Sequence, residues 1–345
     1  MAGDRVSSDA VGTISSGSGK VGRYFTVVST MPSILLIAYT YMLVRVSWSG
    51  PVNWSALSEV KLHEIAFLGL GALVLALATN PLQFPMIQMF EGYWGTSRLG
   101  VALATARVMH HRRRRTALEV AELAADDNVK AHGPLALRYE DVPVEVVESA
   151  VVRAESSRAR NSYPDIADVM PTRLGNVLRR YETNVGAPYG LDPLMTIPRL
   201  VMLGGEREIS YVQDQRVQLE LAIRTTFVAL CAMVITFVLM GRHGLWMLLA
   251  IVPYGVSFFA YRGAVALAHE YGTSLAVLTD LSRFDLYDRL RLPQVANGAD
   301  ERARNATLME VFRFDRKASL PYEHPLPSRQ GVELIVKQAA AEPPE

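Results

Sequence analysis

The sequence predicts an all-α integral membrane protein, and three observations carry that reading. Apolar residues gather into four long blocks, the segments between them are polar and helical in composition, and strand signals are nearly absent. The averages hide this pattern. Of 345 residues, 50% are hydrophobic and 20% charged, both close to the globular mean. The formal net charge of +1 argues against a nucleic-acid binder, which is usually strongly basic. A single cysteine excludes an internal disulfide framework and any zinc or iron–sulfur site built from several cysteines.

The first block, residues 25–43, has no charge, and neither has the second, residues 65–90. The third, 221–240, contains only Arg224, and the fourth runs over 245–261 and continues past Arg262 to 268. A helix needs about 20 apolar residues to cross ~30 Å of hydrocarbon, and each block reaches or approaches that length. A signal peptide is the competing reading of the first block. Its apolar stretch is too long and starts late, and no small-residue cleavage pattern follows it. Arg45, Trp48 and Trp54 follow instead, in the manner of interfacial anchors.

Lysine and arginine near the block ends set the orientation. Arg5, Lys20 and Arg23 precede the first block, the run Arg112 to Arg115 follows the second, and Arg262, Arg283, Arg289 and Arg291 follow the fourth. The first and third connections are poor in both residues. The expectation is a bacterial cytoplasmic-membrane protein with four spans and both termini inside.

The predicted organisation follows in chain order. Residues 1–23 form a Ser/Gly-rich disordered tail. A transmembrane hairpin occupies 24–94, with spans at about 25–44 and 65–90. An intracellular helical domain fills 95–220, with helices expected over 99–125, 142–154, 172–182 and 206–221. Thr172 is the expected cap of the third of these, and Gly190, Pro193 and Pro198 read as breaks. A second hairpin occupies 221–268, with spans at about 221–240 and 245–266 and a turn at 241–244. A C-terminal intracellular helical segment takes 269–322, its first helix reaching about residue 290, and 323–345 reads as a loose tail.

Catalytic and cofactor motifs are incomplete. Gly17-Ser18-Gly19-Lys20 lacks the earlier glycine and the hydroxyl residue of a phosphate-binding loop. His63-Glu64 and His269-Glu270 each lack the second histidine of the helical zinc motif. His269, near the inner end of the fourth block, is a candidate pH-sensitive group. Cys231 lies mid-block and reads as packing. No cofactor, metal or catalytic residue is implied.

Two sets of residues stand out. Arg107 and Arg112, Arg113, Arg114 and Arg115 form the densest basic cluster, placed to touch anionic lipid of the inner leaflet. No aromatic residues interleave with them, which argues against nucleic acid as a partner. The second set lies in the blocks. Asn80, Pro81, Pro253 and Gly255 are expected kinks, while Gly69, Ala72, Ala76, Ala260 and Ala264 offer small surfaces for close helix approach. Arg224 and Arg262 are expected to snorkel to the inner surface.

Pro171-Thr172-Arg173-Leu174-Gly175-Asn176, Tyr189-Gly190-Leu191-Asp192 and Pro198-Arg199-Leu200 resemble a group of uncharacterised actinobacterial multi-pass membrane proteins. Pro81-Leu82-Gln83-Phe84 with Glu91-Gly92-Tyr93-Trp94 is similar to the same group. The resemblance implies a bacterial multi-pass protein with the same spans and brings no known activity.

The leading functional expectation is non-enzymatic: a self-associating protein that forms a pore or channel-like assembly. The alternative is a membrane-anchored scaffold or regulatory protein that binds intracellular partners and anionic lipid. An enzyme ranks third, with Asp165, Asp168, Arg173 and Asp192 as the residues to probe first.

Overall fold

The computed structural model describes residues 30–47, 50–131, 142–315 and 318–323. The predicted N-terminal tail, residues 324–345 of the C-terminal one, the Gly17–Lys20 motif and Trp48 lie outside the described residues. Among the described residues every regular element is a helix.

In chain order these are α1 (Met31–Ser47), a 3-10 turn (Trp54–Glu59), α2 (Leu62–Thr79), α3 (Gln83–Glu91), α4 (Arg98–Ala131) and α5 (Val144–Arg160). Then come α6 (Arg173–Asn184), α7 (Pro193–Val201), α8 (Glu206–Met240), a 3-10 segment (Gly244–Ala250), α9 (Ile251–Arg289) and α10 (Gly298–Phe312). Three helical stretches are long and apolar enough to cross a membrane: Leu62–Thr79, Glu206–Met240 and Gly244–Arg289. The helix of the first block, α1, is apolar but only 17 residues long.

Several boundaries differ from the expectation for physical reasons. The second block is not one helix. Pro81 has no N–H to continue the ladder, so α2 ends at Thr79 and α3 restarts at Gln83. Pro253 falls in the first turn of α9, directly after the 3-10 segment, where its missing N–H costs little. The region expected to be broken around Pro193 holds α7. Pro193 sits at its first helical position, behind an Asp192 cap whose Oδ1 accepts from Leu194 N at 3.0 Å. The expected helix from 206 does run unbroken into the third block, changing from a charged start to an apolar end as α8.

The chain forms two compact units. The first comprises Met1–Thr183 and Ser210–Leu275. Within it Leu43 and Val46 of α1 bury against Met240 of α8, and the Tyr39 hydroxyl bonds Thr236 Oγ1 at 2.8 Å. Arg45 of α1 pairs with Glu64 of α2 at 2.7 Å. The Trp54 and Trp246 rings lie 5.5 Å apart, so the connection after α1 and the connection after α8 share one end of this unit. Helices α4 and α5 pack antiparallel, joined by Arg160–Glu122 at 2.6 Å and Arg153–Asp126 at 2.9 Å. A further core joins α6 to α8 and α9, with Leu174 and Val177 against Leu219, Ile223, Ala264 and Ala268.

The second unit comprises Asn184–Ile209 and Ala276–Glu345. Its core is Leu191, Tyr287, Leu292, Leu308, Met309, Phe312 and Leu320. Asn305, fully buried, donates to the Tyr287 hydroxyl at 2.7 Å and to the Tyr189 carbonyl at 2.8 Å. Asn297 caps α10, accepting from Ala299 N and Asp300 N.

Candidate functional site

The first unit brings its polar chemistry to the flank of its apolar helices, and one corner organises it. Gly92, at φ +109°, ends α3 in the left-handed region, and a Cβ there would meet the Pro171 ring at 2.7 Å. Thr172 Oγ1 donates to the Glu91 carbonyl and accepts from Gly175 N, both at 2.9 Å. That second bond is the N-cap expected for α6. Gly175 sits directly against the Glu91 carbonyl, where a side chain has no room. Asn176, 1% exposed, accepts from Met170 N and donates to the carbonyls of Met170 and Thr172. Each residue of the Pro171–Asn176 motif except the exposed Arg173 and the core-filling Leu174 thus closes the corner.

The corner seats α6 along α9. Leu174 N donates to the Tyr261 hydroxyl at 3.4 Å, and the Tyr181 ring covers Gly272. Ala264, which reads in the sequence as a small surface for close helix approach, is fully buried against α6, and Ala268, one turn on, extends the same stripe. The stripe permits a close approach, but its partner is a helix of the polar segment. Ala72 and Ala76 are buried on α2, whereas Gly69 and Gly255 face open space and Ala260 is half-buried. Asn80 caps the end of α2 and Pro81 is exposed beside it.

The basic run does not present one face. Successive residues on a helix turn by about 100° each, so four in a row reach every side. Arg107, Arg113 and Arg114 are exposed and have no ion pair among the described residues. Arg115 turns inward, donating to the Pro164 carbonyl at 3.1 Å and pairing with Glu119 at 3.4 Å. Arg112 reaches the Ala167 carbonyl at 3.4 Å. Beside them His111 is buried, its Nδ1 3.0 Å from the Tyr163 hydroxyl. Burial, then the charges of Arg107, His110, Arg114 and Arg173, hold this imidazole down at about 4, so it is neutral near pH 7.

A cleft of about 1020 Å³ opens between α4, α5, α6 and α9. Its α4–α5 wall is the ion-pair ladder already described, which fixes the frame. Its other wall carries Arg158, Arg180 and His269, with Ser162 Oγ 3.2 Å from His269 Nε2. The Tyr181 ring meets the His269 ring edge-on. Burial lowers the His269 pKa, Arg180 and Arg158 add to the effect, and Glu270 opposes it. This wall is not legible in the sequence, because its residues come from positions about 110 apart and only His269 stands out there.

Arg224 does not snorkel. It is 2% exposed, inside α8, and donates to Thr79 Oγ1 at the end of α2. Glu64, part of an incomplete zinc motif in the sequence, accepts from Lys61 N at 2.9 Å and holds Arg45. No group of three or more potential metal ligands occurs among the described residues. Asp165 lies 4.0 Å from Arg115, Asp168 pairs with Arg179 at 3.4 Å, and Asp192 pairs with Arg313 at 3.0 Å. Each has an arginine partner, and Arg115 and Arg179 are shared with Glu119 and Glu182.

The chain matches no protein-family model, no curated protein and no solved structure.

Proposed function

We propose that this is a four-span protein of the bacterial cytoplasmic membrane, with both termini inside, acting as a membrane-anchored scaffold or regulatory protein. One observation carries the reading. Helix α5 is pinned to α4 on one side, yet Val144, Val147 and Val151 form an exposed apolar row on another, with Val144 72% exposed. The spacing is that of one helical face. Glu145, Glu148 and Glu155 are exposed on the same helix and have no ion pair among the described residues. An apolar row rimmed by acids fits an amphipathic partner helix with basic flanks. Arg107, Arg113 and Arg114 add an electrostatic hold on anionic lipid, about 1 kcal/mol each.

A photo-crosslinking residue at position 147, in living cells, tests this. The expected product is a discrete adduct with another protein that disappears when V144D/V151D is combined with the crosslinker. Adducts only with the chain itself, or adducts indifferent to the two aspartates, contradict it.

The second reading is a pore formed by several copies. Arg224 favours it, since a charge among membrane-crossing helices is costly and commonly marks a path for ions or substrates. Purified oligomers in planar bilayers should then pass anions, and R224A should change their conductance or selectivity. Electrical silence across voltage, pH and tension counts against it.

A further inference from the structure

We propose that the cleft between α4, α5, α6 and α9 binds a phosphate ester carrying a hydroxyl or amine, held by Arg158, Arg180 and His269. The site is built from three separate elements. Arg158 comes from α5, Arg180 from α6 and His269 from α9, and all three line the same space. They are close enough that both guanidinium charges act on the His269 ring.

The arginines along the facing ladder are occupied: Arg160 holds Glu122 and Arg153 holds Asp126. Arg158 and Arg180 have no ion pair among the described residues; the contact shown for Arg180 is with the Tyr181 ring, 5.3 Å away. Two guanidinium groups facing one cleft match the bidentate demands of a phosphate. Ser162 and the Tyr181 ring orient His269, and because Ser162 Oγ engages Nε2, a neutral ring has Nδ1 left for a ligand.

Glu270 narrows the ligand class. It lines the same wall, is exposed, and has no ion pair among the described residues. A carboxylate there repels a bare polyanion and accepts from a hydroxyl or amine placed beside the phosphate. The volume, about 1020 Å³, lies at the top of the range for small-molecule sites. The wall sits where α9 leaves its most apolar stretch, so such a phosphate has two sources, a soluble metabolite or a lipid headgroup.

Binding to the full chain in phosphatidylcholine nanodiscs, measured by calorimetry, distinguishes them. The soluble probe is glycerol 3-phosphate and the lipid probe is dihexanoyl phosphatidylglycerol below its micelle concentration. The expected result is saturable binding of at least one probe, weakened tenfold or more by R158A and by R180Q, and unchanged by R207A, an exposed arginine at the start of α8 that does not line the cleft. Arg158 is on an exposed helix surface, so its variant reports on binding without disturbing the fold. Binding of the first probe alone assigns a soluble ligand, and binding of the second alone assigns a lipid. Binding of neither overturns the proposal, and so does an R207A loss equal to that of R158A, which marks unspecific charge attraction.

Discussion

The ring of Tyr181 occupies the space that a Cβ on Gly272 would need, and its hydroxyl lies 3.3 Å from Thr273 Oγ1. This contact fixes how closely α6 lies on α9, and therefore where Arg180 and His269 stand relative to each other.

Gly272→Ala should cost about 1–3 kcal/mol, since the added methyl must displace an aromatic ring. Gly263→Ala, on the same helix with no atom within 4 Å of its Cβ position, should be neutral or slightly stabilising. Thermal unfolding of the detergent-solubilised chain compares them. Equal effects contradict the packing described.

Asn176→Ala removes a donor and an acceptor from a buried corner and leaves the Met170 N–H and carbonyl unpaired, at about 1–3 kcal/mol for each group, while the Thr172 carbonyl keeps the Asn176 backbone N–H at 3.1 Å. Asn176→Asp keeps the shape but loses both N–H donors, so it should destabilise as well. An aspartate variant as stable as the parent would show that shape alone matters there.

Glu91 supplies a pH dependence with a defined sign. Burial first, and Glu182 second, raise its carboxyl from 4.5 to about 7. The folded chain therefore holds this proton more tightly than the unfolded one. Its stabilising effect is complete below about pH 4.5 and is lost as pH rises through 7. His111 acts oppositely: its folded value is depressed, so its contribution is complete above 6.5 and is lost as pH falls towards 4. Melting curves of the parent and of Glu91→Gln between pH 5 and 8 isolate the carboxyl. The parent should lose stability relative to the variant on going upward, and parallel profiles would contradict the assignment.

Much of the helical framework is legible in the sequence because its signals are local. The apolar blocks, the Thr172 cap and the run from 206 into the third block are all set by neighbours within a few residues. What escapes depends on distant ones. The stripe of Ala264 and Ala268 announces a close approach, but only the docked α6 reveals to what. Arg224 is long enough to reach the surface, whereas Thr79, 145 positions earlier, receives it inside. The proline rule errs in both directions for one reason: Pro193 and Pro253 lie in first turns, where the missing N–H is harmless, and Pro81 does not. The cleft wall of Arg158, Arg180 and His269 has no sequence signature, since three helices contribute one residue each.

The scaffold role depends above all on the α4–α5 hairpin facing the cytoplasm while the turn around Trp54 faces outward. Ser55→Cys and Val147→Cys, introduced one at a time into a Cys231→Ser chain, test this with a membrane-impermeant thiol reagent on intact spheroplasts. The topology predicts labelling at 55 before lysis and at 147 only after it. Labelling at 147 on intact spheroplasts would contradict it.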